Sequence, residues 1–348
     1  MTTLEQLVVP LLEWFEQHAR TLPWRENPTP YHVWVSEIML QQTRVAAVLG
    51  YYDRFMQAVP TVEELAQLPE ERLMKLWQGL GYYNRARNMQ KAARQVMEQF
   101  GGVFPSRYED IRTLAGVGDY TAGAIASIAF GIPVPAVDGN VLRVVSRITG
   151  DESDIGLAST KERVRRQLEE ILPVRMPGTF NQAMMELGAT VCLPNGAPLC
   201  GQCPAREFCR ARLEERTGAL PVKRPKKERR VEDRVVFLIV RNGRIAVRRR
   251  PEKGLLAGLW EFPNELAPAE SAPERWQIAG DQVRRGGTGK HIFSHVEWRM
   301  EARIIHAAGE ELPPGWAWAD RGELERRYAV PSAFACFERQ VKELLGHF

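Results

Sequence analysis

The chain has 348 residues, of which 44% are hydrophobic and 26% charged, with a formal net charge of +4. That length predicts about two domains, and the composition excludes a disordered or fibrous chain. A basic stretch at 221–234, PVKRPKKERRVEDR, carries +4 by itself, so the remainder is neutral and overall charge cannot argue for a polyanionic partner.

In chain order, the opening MTTLEQLVVPLLEWFEQ has acidic residues and no basic n-region, and so does not read as a signal or transit peptide. Leu7, Leu11, Leu12 and Phe15 fall on one helical face, and 83–100 has a helical period closed by Gly101 and Gly102. The segment LAGVGDYTAGAI (114–125) brackets a turn with Gly116 and Gly118 and enters a small apolar helix with no lysine or arginine in the turn. The turn is either a plain interhelical connection or a backbone amide nest for an anion. The uncharged run 120–137 contains Pro133 and Pro135 and is rich in Ala and Gly, which predicts a buried helix and its exit loop and no membrane association. The expected compartment is a reducing, bacterial-type cytoplasm, where cysteines serve as metal ligands or bystanders.

Four of the five cysteines, Cys192, Cys200, Cys203 and Cys209, lie in CLPNGAPLCGQCPAREFC. Four thiolates in so short a stretch can surround one metal centre. Zinc sites of this ligand type usually use two C-x-x-C pairs and only one is present, which favours a [4Fe-4S] cluster. Beyond the basic stretch the pattern changes. VVFLIVRNGRIAVRRR sets two strand-like runs around Asn242-Gly243, HIFSHVEWRMEARIIHA adds alternating strands, and SAFACFERQVKELLG returns to helix. The expected organisation is an all-α domain over 1–216, a basic linker over 217–232 and an α+β domain over 233–348.

Residues 1–216 resemble the helix-hairpin-helix DNA glycosylases with a terminal iron-sulfur loop, and in particular the MutY-type adenine DNA glycosylases. The resemblance rests on PWR (23 to 25), SEIMLQQT (36 to 43), GLGYYNRARN (79 to 88), the GVG turn, VDGNV (137 to 141), FNQAMMELGA (180 to 189) and the cysteine loop. GLLAGLWEFP (254 to 263) and FSH (293 to 295) extend it into a C-terminal part that resembles the MutT (Nudix) fold. That fold's metal-binding box is missing: RGELERRY lacks its order and spacing. The part is expected to be a recognition module without hydrolase activity.

Breaking an adenine N-glycosidic bond needs an acid for the base and a negative charge near C1′ of the sugar, the division of labour of two carboxylates in sugar hydrolases. Glu37 and Asp138 are the candidate pair. Glu37 stands in an apolar setting that should raise its pKa, although a helix-start carboxylate is the plainer reading of it alone, as an Asx turn is of Asp138.

The resemblance implies that Glu37 protonates adenine N7 and that Asp138 stays ionised, with Tyr120 and Asn140 hydrogen-bonding around it. It implies that Gln42 and Tyr82 wedge into the base stack, with Thr43 and Leu80 near the opposite base, and that Arg20, Trp24, Arg25 and Gln182 line the pocket for the extruded adenine. Gly116 and Gly118 are expected to meet a DNA phosphate, and Phe293, Ser294 and His295 to read the lesion. Relatives that cleave the strand carry a lysine where this chain has Tyr120, and a phenol cannot form a Schiff base, so a monofunctional enzyme is expected. The expected partner is duplex DNA with 8-oxoguanine·A or G·A mispairs, bound by a monomer. The competing reading is a non-catalytic iron-sulfur protein that binds DNA damage on the same scaffold.

Overall fold

The computed structural model describes residues 2–225 and 228–346. The chain divides into two compact units, Met1–Gln67 with Arg87–Pro225, and Leu68–Ala86 with Lys226–Phe348. The expected boundary over 1–216 therefore omits one feature: the segment Leu68–Ala86, early in the chain, groups with the C-terminal part. Of the expected linker, residues 226 and 227 lie outside the described residues, and the sheet begins at Arg230, ahead of position 233.

The first unit is helical. It contains α1 (Val8–His18), α2 (Pro23–Glu26), α3 (Pro30–Leu40), α4 (Val45–Ala58) and α5 (Val62–Gln67). After α6 (Glu70–Trp77) in the other unit, α7 (Asn84–Gln99) returns the chain to it, followed by α8 (Tyr108–Thr113), α9 (Asp119–Phe130), α10 (Gly139–Thr149), α11 (Ala158–Ile171), α12 (Pro177–Thr190) and α13 (Arg210–Leu213). The run 120–137 is the buried helix α9 and its exit loop, as its composition predicts. No helix among the described residues is long and apolar enough to cross a membrane.

The centre of this unit is α12, which packs against α1, α9 and α10. Leu7, Leu11, Val145, Phe180 and Leu187 are fully buried in the shared core or nearly so, and each such side chain contributes about 1.5–3 kcal/mol. Gly188 makes the α10–α12 approach possible, because a Cβ there would lie 2.5 Å from the Asn140 Cβ.

The second unit is built on a seven-stranded mixed sheet among the described residues. Its strands are β1 (Arg230–Arg241), β2 (Arg244–Arg249), β3 (Trp260–Glu261), β4 (Asn264–Leu266), β5 (Gly280–Ile292), β6 (Val296–Ala307) and β7 (Trp316–Ala319). The path runs β3-β2-β1-β6-β5, with β4 paired to β1 and β7 to β2; β1 and β6 are parallel and the other pairs antiparallel. The β1–β2 hairpin turns at Asn242 and Gly243, both at positive φ (46° and 69°), as a tight turn matched to strand twist requires.

Strand alternation sends Val236, Leu238 and Val240 to one core with Trp298, Phe334 and Phe337, and Val235, Phe237 and Ile239 to a second core with Ala272 and Ile278. Three short helices complete the unit: α14 (Ala272–Arg275), α15 (Arg321–Arg326) and α16 (Glu338–Leu345). The final segment is only partly α-helix, since Ser332–Phe337 winds as a tighter 3-10 turn after Pro331.

Candidate active site

Glu37 projects from the C-terminal half of α3, whose start is capped by Thr29 accepting from the His32 N–H. The plainer reading of Glu37 as a helix-start carboxylate does not hold: its place in α3 is one where the helix dipole disfavours negative charge. The side chain is buried. Burial pushes its pKa up to about 7, helped by the nearby charge of Asp138 and opposed by the Tyr120 hydrogen bond and by Arg25.

Tyr120, in the first turn of α9, donates its hydroxyl to Glu37 Oε2 at 2.5 Å and lies 3.1 Å from Met185 Sδ. This corrects the expectation that Tyr120 bonds to Asp138. Both Asp138 oxygens already have donors: Oδ1 accepts the Val141 N–H at 2.8 Å as the N-cap of α10, and Oδ2 accepts Asn140 Nδ2 at 2.8 Å. Asp138 is thus a helix cap and a member of the site at once. Burial pushes its carboxyl up, and these hydrogen bonds with Arg143 nearby pull it back.

Arg20, Trp24, Arg25, Gln42, Thr43, Gly118 and Gln182 line the same cavity as Glu37, Tyr120, Asp138 and Asn140. Its arginines are fixed by a residue not singled out from the sequence. Glu186, 1% exposed, accepts from Arg20 Nε at 2.6 Å and from Arg25 Nη2 at 2.8 Å. Burial alone would raise its pKa, but the two guanidiniums outweigh that and hold it below the ordinary range. Arg25 Nε also donates to Gln182 Oε1 at 3.1 Å.

A second unanticipated residue is Arg143. It donates to Asn140 Oδ1, the Gly188 carbonyl and the Cys192 carbonyl, each at 2.8 Å. Both residues stand one helical turn from a recognised one, Glu186 four after Gln182 and Arg143 three after Asn140, which is the signal available in the sequence.

Other candidate contacts lie on turns. α8 and α9 form a helical hairpin whose turn holds Gly116 at φ 76°, with Gly118 as the N-cap of α9. A side chain at Gly116 would be strained and would meet Asn88 Cβ at 2.7 Å. Gln42 and Tyr82 each hold a left-handed backbone (φ 59° and 47°), Gln42 is exposed and Tyr82 is 47% exposed. Such strain in non-glycine residues points to function when it sits on an exposed tip.

Leu80 is 7% exposed, its apolar side chain drawn into the interior. Thr43 Oγ1 bonds to the Gln41 carbonyl at 3.4 Å. In the second unit, Phe293, Ser294 and His295 make the turn between β5 and β6, closed by the Phe293 N–H on the Val296 carbonyl at 2.8 Å. Phe293 packs edge-on against Trp298, centroids 4.9 Å apart, while Ser294 and His295 are exposed with Oγ and Nδ1 3.3 Å apart.

Cys192, Cys200, Cys203 and Cys209 line one cavity with Arg147 and Arg206. Arg147 Nη1 stands 3.3 Å from Cys192 Sγ. Burial pushes the Cys203 thiol up to about 12 and the Cys209 thiol upward as well, and the neighbouring cysteines add to both, so these two need a cationic centre to become thiolates. Among the described residues no three His, Cys, Asp or Glu side chains close on a single ion.

Residues 35–174 match the HhH-GPD superfamily base excision DNA repair protein model, and residues 235–337 match the NUDIX domain model. The chain is 36% identical to the adenine DNA glycosylase of Homo sapiens, over 90% of this chain and 70% of the human protein. Among solved structures it resembles a thermostable thymine-DNA glycosylase (TM-score 0.54, 27% identity, 60% of this chain and 97% of that one). It also resembles endonuclease III in a non-covalent complex with DNA (TM-score 0.52, 26% identity, 62% and 98%).

Proposed function

This chain belongs to the adenine DNA glycosylases of the HhH-GPD base excision repair superfamily, and from that membership we propose that it releases adenine opposite 8-oxoguanine or guanine by hydrolysis alone. The reading of a non-catalytic damage-binding protein gives way to that of an enzyme. The observation that carries the mechanism is the buried Glu37 carboxyl, near neutral in pKa, facing a cavity it shares with Asp138.

With the adenine flipped into that cavity, Glu37 gives its proton to N7 of the base. The C1′–N9 bond then breaks with its electron pair passing to the base, and Asp138 offsets the cationic sugar until water adds at C1′ and loses a proton. Tyr120 orients the Glu37 carboxyl, while Asn140 and Arg143 orient Asp138. Arg20 and Arg25, fixed by Glu186, and Gln182, held by Arg25, bind the base. Tyr120 offers no amine for a Schiff base, so the reaction stops at the abasic site.

Gln42 and Tyr82 fill the stack, the Gly116–Gly118 turn meets a phosphate, and Ser294 and His295 read the base opposite. The four cysteines would hold a [4Fe-4S] cluster, which when bound joins 192–209 into one structural element. We assign the active species as a monomer in a reducing cytoplasm.

Single-turnover assays on duplexes with adenine opposite 8-oxoguanine, guanine, cytosine and thymine test the reading. Release is expected opposite the first two, without strand cleavage or a borohydride-trapped adduct. Equal release opposite all four, or a trapped adduct, overturns it.

A further inference from the structure

The loop carrying Tyr82 belongs to the same compact unit as the turn 293–295. Within that unit α6 is tied to the end of α15. Lys75 Nζ donates to the carbonyls of Leu324 (2.8 Å) and Tyr328 (3.4 Å), and Gln78 Nε2 to the carbonyl of Val330 (2.7 Å). Lys75 also bonds to Gln78 Oε1. An ammonium at a helix C-terminus satisfies carbonyls that lack intrahelical donors and meets the favourable end of the dipole.

The acceptors are not on a free loop. Leu324, Tyr328 and Val330 belong to the same hydrophobic cluster as Phe293 and Trp298. In the other direction there is little slack between Gln78 and the exposed ring. Trp77 Nε1 donates to the Gly81 carbonyl at 3.1 Å, and Arg85 Nη2 donates to the carbonyls of Leu80 and Gly81 at 3.2 Å.

We propose that Lys75 and Gln78 are positioning residues that fix the Tyr82 wedge to the core carrying the 293–295 turn. Wedging of the stack and reading of the base opposite adenine then act as a single event. This rests on the roles given above to Tyr82, Ser294 and His295, and extends them to two residues whose side chains donate to protein carbonyls.

The test compares single-turnover adenine release from 8-oxoguanine·A and G·A duplexes by three proteins: Lys75→Met/Gln78→Leu, Ser294→Ala/His295→Ala, and the two combined. The anchor variant is expected to lose about tenfold on the oxidised substrate relative to G·A, and the combined protein little more than either parent, the non-additivity of groups sharing one network. Lys75→Arg, which keeps a cation over the same carbonyls, should retain the selectivity.

Should the double variant fail to fold by thermal melting, Gln78→Ala alone should still show a smaller loss in the same direction. Equal losses on both substrates, additive losses, or no rescue by arginine overturn the inference. If Ser294→Ala/His295→Ala itself shows no selective loss, the lesion-reading role falls and this inference with it. If it does and the anchor variants do not, the inference alone falls.

Discussion

Tyr120 and Glu37 share a 2.5 Å hydrogen bond that ties the start of α9 to the latter half of α3. The phenol is half-buried and held well above its ordinary pKa, by desolvation first and by Glu37 and Asp138 next, so it remains a donor throughout the working range. It can bond to Glu37 in either protonation state, and the carboxyl keeps its orientation after the proton has left.

The rate of adenine release should follow the protonated fraction of Glu37. With its pKa pushed up to about 7, single-turnover rates should fall about tenfold per pH unit above that pH and level off below it, for as long as Asp138 stays ionised. A profile flat from pH 6 to 9 would assign the proton to another group.

The same buried carboxyl weakens the fold. In the folded state Glu37 holds its proton up to about pH 7, against an ordinary value of 4.5. Its contribution to stability is therefore greatest below 4.5 and is lost as pH rises to about 7. That gap is worth about 3 kcal/mol. Glu37→Gln, which can still accept from Tyr120, should raise stability at pH 8 by up to that amount in denaturant melts while slowing release by at least about 10²-fold. A glutamine variant no more stable at pH 8 than at pH 5, relative to the parent, would refute the linkage.

Asp138→Asn separates the cap from the charge. Asparagine caps helices as well as aspartate does, so α10 should persist, with a melting temperature within a few degrees of the parent. Adenine release should nevertheless fall by about 10²- to 10⁴-fold, the range for a group acting on charge in the transition state. A near-native rate would remove Asp138 from the chemistry.

Gly188→Ala should damage both stability and rate. The added Cβ would lie 2.5 Å from Asn140 Cβ and 3.2 Å from its Cα, and Asn140 holds Asp138. Overpacking of this kind costs about 1–3 kcal/mol, and a displaced Asn140 should slow release further than the loss of stability explains. Thermal melting read beside single-turnover kinetics distinguishes the two effects.

Iron analysis of the purified protein should return about four irons per chain, the content of a [4Fe-4S] centre. Chelation should lower the melting temperature by loosening 192–209 and, through the Arg143 link from the Cys192 carbonyl to Asn140, slow release. Stoichiometric zinc without iron, from cells supplied with iron, would exclude the cluster.

Local signals carried most of the fold. The Asn242-Gly243 turn, the glycine-bracketed hairpin before α9 and the clustered cysteines each announce themselves within about twenty residues, because turn geometry and metal ligation are short-range demands. What stayed hidden needs knowledge of which elements meet. Tyr120 faces Glu37 and not Asp138 because α3 and α9 pack together, and no spacing along the chain encodes that contact. Glu186 and Arg143 lie on helical faces legible by period, but their partners come from distant segments. The grouping of Leu68–Ala86 with the sheet unit, within which Lys75 and Gln78 reach carbonyls some 250 positions away, has no local signal either.

The left-handed backbone at Gln42 and Tyr82 also bears on how long the protein dwells at each base pair. A loop that had to order itself on arrival would add a folding step to every position sampled along a duplex. Here the backbone already holds those conformations without DNA, so the unfavourable dihedrals are met once, during folding. With Gln42 and Tyr82 in their proposed wedge role, each encounter then tests only whether the stack yields. Sliding along undamaged DNA can proceed at the pace set by phosphate contacts, with long pauses confined to mispairs weak enough to open.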